Sequence, residues 1–408
     1  MKILIVALYF PPAGGAGVQR PLKFAEHLPE LGFETHVLAP DDPKWLDRDE
    51  SQPLPPRAVI HRAKNLGPKA RRPGEELYRL RGPERLGAQA RLAFRRQLVP
   101  DASVLWNATA IPAAVRIVRR EGIDVVLTTS PPGSIHLVGA AAKRVTGVRW
   151  VADLRDSIAA HPHRRRAVRG ERSLARLVGG RADAITCASE AIAGEMRKLV
   201  PAARVEVIEN GCDFEDFAGL PYTPAPRLRI THTGRFFGRR NPRPFLEALS
   251  RGPEDVVARF VGDFRRADRE YAESLGVGDR LELVPSVPRA QALALQRDSE
   301  ALLLLIPEAE GRGRGVLSGK VFEYLAAERP ILAAVPPEGA AARLLEEVGT
   351  ATIVAPDDVE GLTAALADLE RCWRAGELDG APLSEDSRRR LSRRARVEEL
   401  AELLRSLA

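Results

Sequence analysis

Lys2-Ile-Leu-Ile-Val-Ala-Leu-Tyr-Phe10-Pro-Pro-Ala-Gly14-Gly15-Ala-Gly17-Val-Gln-Arg20 is the stretch from which the fold is read. After Lys2, the eight residues Ile3–Phe10 are apolar on both faces, as a strand buried inside a parallel sheet must be. A glycine loop follows, and then an amphipathic stretch, Arg20–Leu31, with helical spacing. This strand–loop–helix unit starts again at Leu228–Thr233, which runs into Gly234-Arg235-Phe236-Phe237-Gly238-Arg239-Arg240. One chain with two such openings predicts two α/β domains.

Outward from the first unit, strands are expected at Glu34–Pro40, Ile123–Ser130, Val148–Asp153, Ala182–Ser189 and Val205–Asn210, with helices at Ile111–Glu121, Ser134–Val145 and Glu190–Leu199. The alternation stops at Asp213–Arg227, where Gly219, Pro221, Pro224 and Pro226 mark a linker. It resumes through Val257–Gly262, Leu281–Pro285, Ala301–Ile306, Ile331–Val335 and Ala351–Val354. The expected organisation is a first Rossmann-like domain over 1–218, a second over 219–385, and a C-terminal helix over 386–408 that packs back toward the first. The whole of Ser384–Ala408 reads as one helix. Domains of this kind face each other across a cleft, and ligands bind at the carboxyl ends of the strands.

Two regions break the rhythm. Residues 41–107 form a long Pro- and Arg-rich insertion, either solvated or, through a basic amphipathic helix at Glu84–Leu98, facing a membrane or a lipid-linked acceptor. The arginine cluster at 388–396 reads as a solvated face or a phosphate contact.

The chain has 408 residues, 44% of them hydrophobic but only 5% aromatic, and a net charge of +7. The positive balance favours anionic partners such as nucleotides. Neither a nucleic-acid reading motif nor an aromatic stacking platform accompanies it, which argues against nucleic acid. Three widely spaced cysteines, Cys187, Cys212 and Cys372, make neither a disulfide framework nor a metal site and fit a reducing cytoplasm. The first apolar run is shorter than a membrane span, and Pro11-Pro12 after it disfavours a signal peptide. The expected location is cytoplasmic, with peripheral contact at the inner membrane face left open.

Three loops carry chemistry. In the first, Gly14, Gly15 and Gly17 leave backbone amides open to an anion at the helix start. A dinucleotide fingerprint fails there, because its third glycine position is Arg20. In the second, Gly234, Arg235 and Arg240 leave the end of a strand, where arginine forks suit phosphate oxygens. In the third, a glycine-rich loop containing Gly315, Val316, Leu317, Ser318 and Gly319 opens a helix whose first turn contains Lys320 and Glu323. The amides and helix dipole suit phosphate, and a carboxylate there suits a ribose diol. This is not a Walker A loop, since Arg314 and Val321 occupy required positions. Each loop also has a plainer reading: a tight turn, scattered surface arginine, or a glutamate complementing a helix dipole.

At these residues the chain resembles the retaining, nucleotide-sugar-dependent glycosyltransferases of the GT-B fold, family four. The glycine loop up to Arg20 is similar to that family's amino-terminal loop. Asn210-Gly211-Cys212-Asp213 with Phe217 is similar to its N-G-x-D-x-x-x-F signature. Gly234-Arg235 with Arg240 resembles its diphosphate-gripping pair, and Gly319-Lys320-Val-Phe-Glu323 its donor helix. The resemblance implies a nucleotide-diphosphate-sugar donor, transfer to an acceptor hydroxyl with retention, and no required metal or cofactor. It gives Arg235 and Arg240 the leaving diphosphate and Glu323 the ribose. One departure stands out: the first glutamate of the family's E-x7-E motif falls on Gly315 (323 − 8 = 315). Glu308, Glu310 or the amides of 315–318 are the candidates to replace it.

On the acceptor side, Asp153 closes a strand and either positions the acceptor hydroxyl or forms a structural ion pair. Arg155 and Asp156 support it, with Arg20, Ser130 and His136 at the same sheet edge. The only D-x-D, Asp47-Arg48-Asp49, lies in the insertion and reads as chance. A sugar-nucleotide epimerase or pseudo-transferase, and a non-catalytic nucleotide-sugar binder, are the competing functions.

Overall fold

The computed structural model describes residues 1–15, 17–41, 48–66, 81–158, 165–236, 241–308, 313–378 and 380–407, with the side chains at 91, 92, 95, 96 and 165–169 outside that description. The chain forms two compact units. The first comprises Met1–Glu209 with Arg396–Ala408, the second Asn210–Ala395.

Unit one is built on a seven-stranded sheet in the order β3-β2-β1-β4-β5-β6-β7. The strands are β1 (Lys2–Ala7), β2 (Glu34–Pro40), β3 (Val59–Ala63), β4 (Val125–Ser130), β5 (Arg149–Leu154), β6 (Ala184–Cys187) and β7 (Val205–Val207). Every pairing is parallel. Ile3 to Val6 are wholly buried in β1, which accounts for its unbroken apolar run. Register places Asp153 beside both Thr129 and Thr186 at the carboxyl edge.

The sequence reading missed β3, whose Val-Ile-His-Arg-Ala lies within the stretch expected to be an insertion. It is an edge strand, mostly half-exposed, and its residues carry no apolar alternation. The basic stretch near residue 90 does form a helix, Gly82–Gln97. A helix at Arg165–Arg181 was not read from the sequence at all.

The C-terminal segment is two helices rather than one, Glu385–Leu391 and Arg393–Arg405. Between them Ser392 is extended, because the backbone there makes a parallel bridge with Cys212. Cys212 N–H donates to the Leu391 carbonyl at 2.7 Å and Arg393 N–H to the Cys212 carbonyl at 2.8 Å. Gly211 is forced to be glycine here, since a Cβ would lie 2.7 Å from Arg393 Cα. The second helix then buries Val397, Leu400, Ala401, Leu403 and Leu404 in the core beneath β1 and the helix Gln19–His27. The expected packing of this helix on the first domain is what the structure shows.

Unit two repeats the plan with a six-stranded parallel sheet in the order β10-β9-β8-β11-β12-β13. Its strands are β8 (Leu228–Thr233), β9 (Val256–Val261), β10 (Leu281–Val284), β11 (Ala301–Leu305), β12 (Ile331–Ala334) and β13 (Ala351–Val354). The helix Gly319–Ala327 buries Val321, Phe322, Tyr324 and Leu325, which leaves Lys320 and Glu323 on its other face. Among the described residues no helix is long and apolar enough to cross a membrane.

Candidate active site

In unit two the loop after β8 and the helix Gly319–Ala327 are brought into contact. Gly234 has φ +125°, a conformation that L side chains rarely adopt. A Cβ built on it would lie 2.6 Å from Lys320 Cε, so the lysine side chain lies directly against this loop. Beneath, the Thr233 N–H donates to the Tyr324 hydroxyl at 2.9 Å, and Gln296 Nε2 donates to Thr233 Oγ1 at 3.0 Å. The end of β8 is thereby fixed against the helix that carries Lys320 and Glu323. Arg235 pairs with Asp263 at 3.1 Å, with its side chain 40% exposed. Arg240, the partner expected for Arg235, lies outside the described residues, as does Glu310.

Gly315, Val316, Leu317, Ser318, Gly319 and Lys320 form a continuous half-exposed run after a 3-10 turn at Gly313–Gly315. Ser318 holds the N-cap position without capping through its hydroxyl. The positive end of the helix dipole is therefore not satisfied by that side chain. Since the helix begins at Gly319, Lys320 is in its first turn, but Glu323 is the fifth residue and lies in the second. Glu308, a candidate substitute for the missing glutamate, pairs with Arg314 at 3.1 Å.

Arg289, which the sequence reading did not single out, stands behind Glu323. It opens the helix Arg289–Arg297 and donates to the Glu323 carboxylate and, at 3.0 Å, to Asp216. Asp213 lies 3.9 Å away. Burial works against the charge on Arg289, but these three carboxylates outweigh it and push its pKa up. Asp213 is in turn gripped by Arg393 at 3.1 and 3.3 Å. The Asn-Gly-x-Asp signature thus holds the turn between the two C-terminal helices and backs Arg289. No local sequence signal marks Arg289, whose partners are 34, 73 and 76 positions away.

In unit one Asp153, next to last in β5, is fully buried. Its oxygens accept from Arg20, from Thr129 at 2.7 Å and from Thr186 at 2.7 Å. Burial alone would raise its pKa; the charge and hydrogen bonds of Arg20, with the two threonines, bring it below the ordinary value. The carboxylate is thus engaged in a buried ion pair with Arg20. Arg20 is equally buried and also donates to the carbonyls of Ile208 and Glu209. His136 is buried too, with Nδ1 2.8 Å from Thr128 Oγ1. Thr128 Oγ1 accepts from Trp150 Nε1 at 2.8 Å and donates to the Val151 carbonyl at 3.5 Å.

The remaining acceptor-side residues gather at the same edge. Arg155 donates to the carbonyls of Ser130 (2.7 Å) and Gly17 (2.6 Å), tying the β4 loop to the glycine loop. Gly14 is buried, Gly15 is exposed, and Gly17 lies against the ring of Tyr9. Asp156 is exposed, while the Ser130 side chain is buried against the Asp153 carbonyl. Asp49 of the D-x-D is taken up by Ser51 and Gln52.

Residues 17–216 match the family described as Glycosyltransferase Family 4. The GDP-mannose:cellobiosyl-diphosphopolyprenol alpha-mannosyltransferase of Xanthomonas campestris is 29% identical over 179 residues. That alignment covers 42% of this chain and 45% of the relative, so the chain spans under half the length of the curated protein it matches. Solved structures align over the whole chain. A sucrose-phosphate synthase of Thermosynechococcus elongatus has a TM-score of 0.68 at 16% identity and is covered to 98%. HepE of Anabaena in complex with UDP-glucose has a TM-score of 0.65 at 17% identity and is covered completely. At such identities these likenesses establish the fold, two Rossmann-like α/β units of the GT-B type. Residues 17–216 thus resemble glycosyltransferase family 4, and the whole chain takes the GT-B fold.

Proposed function

We propose that this protein moves a glycosyl group from a nucleotide diphosphate sugar to an acceptor hydroxyl, with retention and without a metal ion. The observation that carries the reading is the meeting of Gly234 and Lys320, which puts a cation, an uncapped helix N-terminus and the Arg235 loop at one sheet edge. Charge develops on the leaving diphosphate as the glycosidic bond breaks, and preorganised cations stabilise it. Arg235 is suited to this: its ion pair with Asp263 is surface-exposed and readily exchanged for phosphate oxygens. Arg240 follows five residues later in the sequence and takes a second phosphate contact. Glu323 binds the ribose diol, and the backbone of 315–319 faces the donor sugar. In a front-face transfer the departing phosphate accepts the acceptor proton, which leaves no step for a buried base. Asp153, Arg20 and His136 are accordingly assigned to holding unit one together, with Arg155 and Asp156 left for the acceptor.

The Xanthomonas relative names both its donor and its lipid-diphosphate-linked acceptor, and we extend that acceptor class to this chain. The deciding experiment supplies UDP- and GDP-sugars with a polyprenyl-diphosphate saccharide, with and without a chelator, and determines the anomeric configuration of the product. Transfer with retention, cut about a hundredfold or more by Arg235→Ala, supports the proposal. Inversion, or full activity in that variant, refutes the mechanism. Gly315 favours one second reading, an epimerase or pseudo-transferase on the same donor site, which the same product analysis would reveal as altered nucleotide sugar without glycosylated acceptor.

A further inference from the structure

Glu323 presents one carboxylate to a ligand, and the structure shows what holds that carboxylate. Its side chain is 25% exposed, so one side is open to solvent while the other faces Arg289 and, at 3.5 Å, Gln296 Nε2. An ionised carboxylate has about four acceptor positions, so two protein donors leave room for the two hydroxyls of a ribose. Arg289 is itself immobilised. Asp216 and Asp213 grip it from behind, Asp213 is locked by Arg393, and the arginine side chain is 14% exposed. With Nη2 hydrogen-bonded to Asp216 and Nη1 to Glu323, the planar fork has one orientation, and it passes that orientation on to Glu323. The glutamate has three rotatable bonds, and ordering it at the moment of binding would cost affinity.

We propose that Arg289 is a positioning residue: by fixing Glu323 in a single orientation ahead of ligand, it creates the site's discrimination between ribose and 2′-deoxyribose. The inference rests on the donor-binding role given to Glu323. Arg289 makes no contact with the nucleotide; it acts through the glutamate. Asp216 acts one step further back, as the anchor that keeps the arginine from following the ligand.

Calorimetric titration of the full chain with UDP, GDP and their 2′-deoxy counterparts tests this, with unfolding midpoints recorded for each variant. The wild type binds the ribonucleotide at least tenfold more tightly than its deoxy form. Arg289→Ala loses that margin by weakening the ribonucleotide alone, and its deoxynucleotide affinity stays at the wild-type value. Asp216→Asn, which leaves Arg289 and Glu323 in place, loses part of the margin, and Arg289→Lys restores part of what alanine removes. A fall of equal size for both sugars in Arg289→Ala and Asp216→Asn marks a merely structural residue and overturns the proposal. Unchanged discrimination in Arg289→Ala also overturns it. If the wild type binds no nucleotide, the donor reading fails and takes this inference with it; if it binds both sugars equally, only this inference fails.

Discussion

Arg20 and Asp153, 133 positions apart, form a two-pronged ion pair sealed from solvent: Nε lies 3.0 Å from Oδ2 and Nη2 2.8 Å from Oδ1. Two further guanidinium N–H groups go to the Ile208 and Glu209 carbonyls, the last residues before the chain leaves unit one. Three distant segments therefore converge on one side chain: the start of the first helix, the end of β5 and the tail of β7.

Removing one member of such a pair leaves the other charged and desolvated. Asp153→Ala and Arg20→Ala are each expected to destabilise unit one by about 3–5 kcal/mol. The measurement is the unfolding midpoint of that unit. The native carboxyl has a depressed pKa, so the contribution of the pair is complete above the ordinary carboxylate range. It is lost as pH falls through the lower native value. Acid sensitivity from this source accordingly sits below about pH 4. A wild-type midpoint in Asp153→Ala, with transfer abolished, would instead give the residue a role in positioning the acceptor hydroxyl.

Much of this architecture is legible in the sequence because its core strands are wholly buried. Ile3–Val6 and Leu302–Leu304 are apolar on both faces, a pattern that neither a half-solvated strand nor an amphipathic helix would carry. The edge strand β3 was not legible, since half-exposed His61 and Arg62 carry no pattern. Neither was the break at Ser392, which is imposed by the backbone of Cys212 180 positions earlier. In the site, glycine loops and the Lys320–Glu323 spacing were readable because local backbone demands select those residues. Arg289, Gln296 and the saturation of Asp153 were not. Each depends on long-range pairing, and in a chain with 62 Lys and Arg residues no single arginine stands out.

His136 gives a second acid response at higher pH. Burial lowers its pKa to about 4, with Asp153 the opposing charge nearby. In the unfolded chain the imidazole takes a proton near pH 6.5; in the folded one it resists until about pH 4. Unfolding is therefore increasingly favoured as pH falls across that window, by up to about 3 kcal/mol. Above pH 6.5 the residue contributes its full stability. His136→Gln, which keeps a hydrogen-bonding group beside Thr128, is expected to flatten the drop in unfolding midpoint between pH 6.5 and about 4. An equally steep drop in the variant would assign the acid response to other groups.

The contact between Gly234 and Lys320 makes a prediction that needs no assay of transfer. Gly234→Ala meets two costs: a left-handed φ of +125°, worth about 1–3 kcal/mol, and a methyl group pressed onto the lysine side chain. Lys320→Ala removes the second cost and leaves the first. The double variant is thus expected to be more stable than Gly234→Ala alone and less stable than the wild type, an interaction measurable as a double-mutant cycle on the unfolding midpoint. UDP and GDP affinity moves differently. Both single variants lose about tenfold or more, because one displaces the cation and the other deletes it, and the double variant loses no more than the worse single. Additive losses of affinity would mean that the loop and the lysine serve separate ligands, which their contact in the folded chain argues against.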